Sequence, residues 1–156
     1  MRQIKVLVVD DSIVFRELLV RMLKTDKTIE VVATASNPYE ARDAILDYHP
    51  DVMTLDIELP RMNGIEFLRK LMPQYPLPTV VISNMSESVF EALDAGAVDF
   101  VSKPANMNGN QLTDFVKNEL ITKIKIASTV KVGNLKRLPS PKQQKIITNC
   151  KLQIPN

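Results

Sequence analysis

This 156-residue sequence predicts an α/β protein built on a doubly wound, five-stranded parallel sheet, and three observations carry the prediction. Five short apolar runs alternate with five segments whose apolar residues recur at helical spacing. The runs are continuous rather than alternating, as in Val6-Leu7-Val8-Val9 and Thr79-Val80-Val81-Ile82, which calls for strands covered on both faces. The polar residues that close the runs are of a kind that binds ligands, and in such a sheet they gather at one edge.

In chain order, Ile4 to Val9 is the first strand and ends in Asp10-Asp11. Ser12 then caps a helix with an expected apolar face of Val14, Leu18, Leu19, Met22 and Leu23. Ile29 to Ala35 is the second strand. Asn37-Pro38 supplies an N-cap and first helical residue, and Ala41, Ala44, Ile45 and Tyr48 mark the helix face. The third strand leads into Asp56, after which Pro60, Asn63 and Gly64 turn the chain into a helix over Ile65 to Met72. Pro78 to Ser83 is the fourth strand, followed by a short helix through Val89, Phe90, Ala92 and Leu93 that stops at Gly96. Val98 to Val101 is the fifth strand, closed by Ser102-Lys103-Pro104, and a last helix is expected from about Gln111 to Ile126.

Right-handed crossovers leave few ways to wind these elements, and the flavodoxin-like order 2-1-3-4-5 is the one expected. Its switch point falls between strands 1 and 3, so Asp10, Asp11 and Asp56 converge there, with Ser83 and Lys103 brought to the same edge by strands 4 and 5. Singly, each has an ordinary reading: the Asp pair and Ser83 as helix caps, Lys103 as a surface lysine, Asp56 as a turn former. Together they differ. Three crowded carboxylates call for a divalent cation, and an all-oxygen set with no Cys/His cluster favours magnesium or manganese. A cation, a nucleophilic carboxylate, an ammonium and a hydroxyl are the parts that hold a phosphoryl group.

Composition sets the frame for that chemistry. At 45% hydrophobic and 24% charged, the chain has the makings of one globular domain. A single cysteine, Cys150, and the absence of a long apolar run point to a cytoplasmic protein without a membrane span. Residues 1 to 126 hold 14 Lys+Arg against 18 Asp+Glu, while residues 127 to 156 hold six basic residues and no acidic one. The expected organisation is therefore a domain over 1–126 and a basic linker or tail over 127–156. The tail lacks aromatics and helical periodicity, so nucleic-acid binding is not expected of it.

From Lys5 to about Ile126 the sequence resembles a two-component response-regulator receiver domain, on Asp10-Asp11, Asp56, Ser83 and Lys103-Pro104. Val8-Val9-Asp10-Asp11-Ser12, Thr54 to Gly64 and Gly96 to Pro104 are similar to the receiver half of chemotaxis protein-glutamate methylesterases, with Glu58 and Phe100 fitting that subfamily best. The resemblance implies that Asp56 is the sole phosphoacceptor, taking its phosphoryl group from a chemotaxis-type sensor histidine kinase. Asp11, Asp56 and the Glu58 backbone carbonyl would bind Mg2+ directly and Asp10 through water. Lys103 and Ser83 would contact the phosphoryl oxygens, Ser83 and Phe100 would act as the switch, and a cis Lys103-Pro104 bond is implied. Three departures stand out: Asn84 where small residues are common, a short Ser83 to Lys103 interval that abbreviates helix 4, and a Phe100 without a hydroxyl.

The regulated effector implied is a methylesterase domain, yet this chain has no esterase site. Its glycines at 64, 96, 109 and 133 are isolated, and the one histidine, His49, reads as a helix C-cap before Pro50. Two other classes compete. One is a stand-alone receiver or one attached to a DNA-binding effector. The other is a Mg2+-dependent phosphatase, which would use Glu58, two residues past the nucleophile, as its general acid.

Overall fold

The computed structural model describes residues 2–84, 86–104 and 109–130. Five parallel strands, β1 (Ile4–Val9), β2 (Ile29–Ala35), β3 (Val52–Leu55), β4 (Thr79–Ser83) and β5 (Asp99–Ser102), form one sheet in the order β2-β1-β3-β4-β5. This is the expected winding, with β1 and β3 adjacent at the switch point. Every residue of β3 and β4 is buried, as continuous apolar runs require. The pairing of β1 with β2 shifts between Val6 and Leu7, where Val6 faces Val31 and Leu7 faces Ala33, leaving Val32 as the extra residue of a bulge.

Strand alternation divides the core in two. Leu7, Val9, Met53, Leu55 and Val81 point to one face and pack with α2 (Pro38–Tyr48) and α3 (Gly64–Leu71), while Val6, Val8, Val52, Val80 and Ile82 point to the other, with α1 (Ile13–Leu23) and the C-terminal helices. The predicted caps are in place. Ser12 Oγ accepts from the Phe15 amide at 3.3 Å, Asn37 Oδ1 from Tyr39 and Glu40 at 2.9 Å each, and His49 ends α2 in the left-handed region at φ 49°. Asn63 Oδ1 likewise accepts from Ile65 at 2.7 Å, opening α3.

Several expectations need correction. Val14 is exposed and the α1 core stripe is Phe15, Leu19 and Leu23, an unbroken i, i+4, i+8 row. Tyr48, Phe90 and Leu93 are exposed, so α4 (Val89–Asp94), only six residues long after a 3-10 turn at Ser86–Ser88, buries Ala92 alone. The short Ser83 to Lys103 interval does abbreviate it. Gly96, at φ 116°, closes this turn where a Cβ would meet Met72 Cγ at 2.7 Å.

The last helix is longer than expected. It runs as α5 (Gly109–Asp114), a π-helical stretch (Phe115–Leu120) and α6 (Ile121–Thr129). The physical reason lies in the spacing: Leu112, Val116, Leu120 and Ile124 recur every four residues, and a 3.6-residue turn would rotate such a row by about 40° per step. The wider π turn absorbs that drift and keeps all four in the core. The expected boundary at residue 126 thus falls inside a helix, and the linker expected beyond it lies outside the described residues from 131 onward. No cis peptide bond occurs among the described residues, so Lys103-Pro104 is trans, against expectation. A trans bond is favoured by about 0.5–1 kcal/mol for X-Pro, and Lys103 reaches its partners from it without a cis turn.

Candidate functional site

At the carboxyl edge of the sheet, β1 ends in Asp10 and β3 in Asp56, and their ladder continues past the strands through the Asp56 amide, which donates to the Val9 carbonyl at 3.1 Å. That bond fixes the two carboxylates side by side. Asp10 and Asp56 are almost fully buried, Asp11 is exposed, and one carboxylate oxygen from each lies within 4.8 Å of the others. From the end of β5 the Lys103 ammonium reaches Asp10 Oδ2 at 2.9 Å and Asp56 Oδ2 at 3.1 Å. The Lys103 amide donates to the Ser83 carbonyl at 3.1 Å, which registers the ends of β4 and β5 beside the site, and Ser83 itself is completely buried.

Burial and charge act against each other here. Desolvation pushes the Asp56 carboxyl above the ordinary carboxylate range; the Lys103 charge opposes this, and the Asp10 charge adds to it. For Lys103, burial acts to lower the ammonium pKa, but the Asp10 hydrogen bond and charge, followed by those of Asp56, outweigh it and raise the value. One ammonium among three carboxylates leaves the cluster negative, and its donors are hard oxygens. That chemistry fits Mg2+ or Mn2+, for which the clustered carboxylates of Asp10, Asp11 and Asp56 form a candidate site.

The remaining expected residues are placed less directly. Glu58 sits on the β3–α3 loop with an exposed side chain, and its amide donates to Asp56 Oδ1 at 3.3 Å. A solvent-facing Glu58 carboxylate does not favour the general-acid role of a phosphatase. Phe100 is half-buried on β5, opposite Val81, and packs against the core cluster that holds α2 and α3. Asn84 is exposed just past Ser83.

The site also includes residues that the sequence reading passed over. The Phe15 ring lies 4.5 Å from the Lys103 ammonium and provides a cation–π floor for it. Asp10 Oδ1 accepts from the Ser12 amide at 2.9 Å, and Arg16 Nη1 donates to the Asp10 carbonyl at 2.6 Å. Gly64 is required by close approach: a Cβ there would stand 2.3 Å from the Asp56 carbonyl oxygen and 3.0 Å from Ile57 Cα, both backbone atoms that cannot step aside. The i+4 row that buries Phe15 was a usable signal in the sequence; the approach of Gly64 to Asp56, eight residues apart around a loop, was not.

A buried acidic cluster and a lysine at the switch point of a 2-1-3-4-5 sheet agree with the family match: the chain belongs to the response regulator receiver domain family, whose model covers residues 6–117. Protein-glutamate methylesterases are among its curated relatives. It is 60% identical over 148 residues to protein-glutamate methylesterase/protein-glutamine glutaminase 2 of Syntrophomonas wolfei subsp. wolfei, covering 92% of this chain and 43% of that protein. It is 50% identical over 139 residues to the corresponding enzyme of Syntrophotalea carbinolica, covering 86% and 39%. Among solved structures, the response regulator domain of Thermotoga maritima CheB superposes with a TM-score of 0.75 at 37% identity, covering 83% of this chain and 99% of that one. The chain therefore spans about two fifths of the length of these curated relatives.

Proposed function

We propose that this chain is the Mg2+-dependent phosphoacceptor of a chemotaxis-type two-component system, phosphorylated on Asp56 and gating a protein-glutamate methylesterase domain. The observation that carries the reading is the Lys103 ammonium held between Asp10 and Asp56, with Asp11 beside them, at the carboxyl edge of the sheet. In the proposed step an Asp56 carboxylate oxygen attacks the phosphorus of a phosphohistidine. The O–P bond forms as the N–P bond breaks, and the imidazole leaves with its electron pair. Lys103 stabilises the charge on the phosphoryl oxygens, and the Asp10 contact keeps the ammonium in place before transfer. Bound Mg2+ would neutralise the carboxylates and the incoming phosphoryl group; Asp11, Asp56 and the Glu58 carbonyl would hold it, with Asp10 acting through water.

The output follows from the same atoms. Once Lys103 turns to the phosphoryl group, the Ser83 hydroxyl moves to bond it, Phe100 repacks, and the surface of α4, β5 and the C-terminal helices changes. The chain up to Thr129, where α6 ends, would be the receiver and the residues beyond it the linker to the esterase. No described helix is long and apolar enough to cross a membrane. The test joins this chain to a matching esterase domain and follows hydrolysis of a methylated receptor with and without a small phosphodonor and Mg2+. Hydrolysis is expected to be low for the unphosphorylated fusion and to rise on phosphorylation in the wild type but not in Asp56→Asn. Hydrolysis indifferent to the phosphodonor would refute the gating and leave a receiver that acts by docking.

A further inference from the structure

Each of the two loops that carry the proposed cation ligands is held by an arginine that supplies no ligand. On the β1–α1 loop, Arg16 bonds the Asp10 carbonyl at 2.6 Å and so fixes the peptide joining Asp10 to Asp11. On the β3–α3 loop, Arg61 adopts φ 71°, a conformation an L residue keeps only where its surroundings over-determine it. Its guanidinium stands 5.8 Å from the centroid of the Tyr39 ring, which Arg42 also approaches at 5.6 Å. Asn37 Oδ1 accepts from the Tyr39 amide at 2.9 Å and so anchors the backbone that carries the ring.

We propose that two arginines position the cation site: Arg61 on Tyr39 holds the loop that carries the Glu58 carbonyl, and Arg16 on the Asp10 carbonyl holds Asp10-Asp11. The proposal rests on the cation reading above. Mg2+ demands near-octahedral placement of its ligands, so the outer groups that orient ligand loops govern its affinity while touching nothing in the site. Tyr39, Arg16 and Arg61 are positioning residues in this account.

The test is a calorimetric Mg2+ titration of the full chain, with thermal melting of the same samples. Tyr39→Leu and Arg16→Met are each expected to weaken Mg2+ affinity by about tenfold, and Tyr39→Phe, which keeps the ring face, to retain it. Arg61→Gly separates positioning from stability, because glycine relieves the left-handed backbone while the strut is lost: its melting temperature should equal or exceed that of the wild type while its Mg2+ affinity falls. Wild-type affinity in Tyr39→Leu, Arg16→Met and Arg61→Gly would overturn the inference, whatever their melting temperatures. A wild-type chain that binds no Mg2+ would overturn the cation reading itself, and this inference with it.

Discussion

The two halves of the sheet's carboxyl edge are anchored differently. On the β1–β3 half, Val6 to Val9 and Val52 to Leu55 are almost wholly buried, the flanking helices begin with side-chain caps, and the carboxylates are set by backbone bonds. On the β4–β5 half, α4 is six residues long, starts without a side-chain cap bond and buries one residue, while Phe90 is 84% exposed and Leu93 42%. The chemistry sits on the half that cannot move without breaking the core. On the other half, the short and lightly packed α4 presents Phe90 and Leu93 to solvent, and there a small change in charge can shift a local equilibrium.

The largest expected effect lies at the joint between the halves. Lys103→Met removes the ammonium that β5 extends to Asp10 and Asp56, leaving two buried carboxylates facing each other. An uncompensated buried charge costs about 3–5 kcal/mol, so urea unfolding at neutral pH should show a loss of that order, shrinking as acid protonates the pair. An unchanged midpoint would mean that the halves are not joined there.

Asp56→Asn should act in the opposite direction. Burial raises the Asp56 pKa in the folded state, so ionising this group disfavours folding, and the penalty grows as pH rises from the unfolded carboxylate value through the folded one. The variant is therefore expected to melt above the wild type at neutral pH and to converge with it near pH 4, roughly the unperturbed Asp value. Added Mg2+ should stabilise the wild type and leave the variant unmoved. A lower melting temperature for Asp56→Asn at neutral pH would show that the Lys103 pairing outweighs desolvation.

The smallest effect belongs to the lightly held half. Phe90→Ala should change stability by no more than about 0.5 kcal/mol, against about 2–5 kcal/mol for Leu55→Ala on β3. Comparable losses from the two in denaturant titrations would erase the contrast.

How much of this was legible in the sequence depended on whether the signal was local. β2 and the start of α2 read to the residue, since a β-branched run and Asn37-Pro38 each have one comfortable conformation. Asp10, Asp11, Asp56 and Lys103 could be placed together because strand ends in a parallel sheet share an edge. What failed were choices between neighbours: Val14 for Phe15 on α1, and Tyr48 on the inner face of α2. Apolar spacing says that a face exists and leaves its edge open. The π stretch, the Gly64 approach and the Arg61–Tyr39 contact depend on atoms brought together through space, and no local pattern announces them.

The central claim, that the rigid half is a phosphoacceptor, is tested most directly by mass spectrometry of the intact chain after incubation with a small phosphodonor and Mg2+. One phosphoryl group is expected, mapped to Asp56, lost when Mg2+ is chelated beforehand and absent from Asp56→Asn. Incorporation into Asp56→Asn at the wild-type rate, or a phosphoryl group mapped to any other residue of the wild type, would contradict the account.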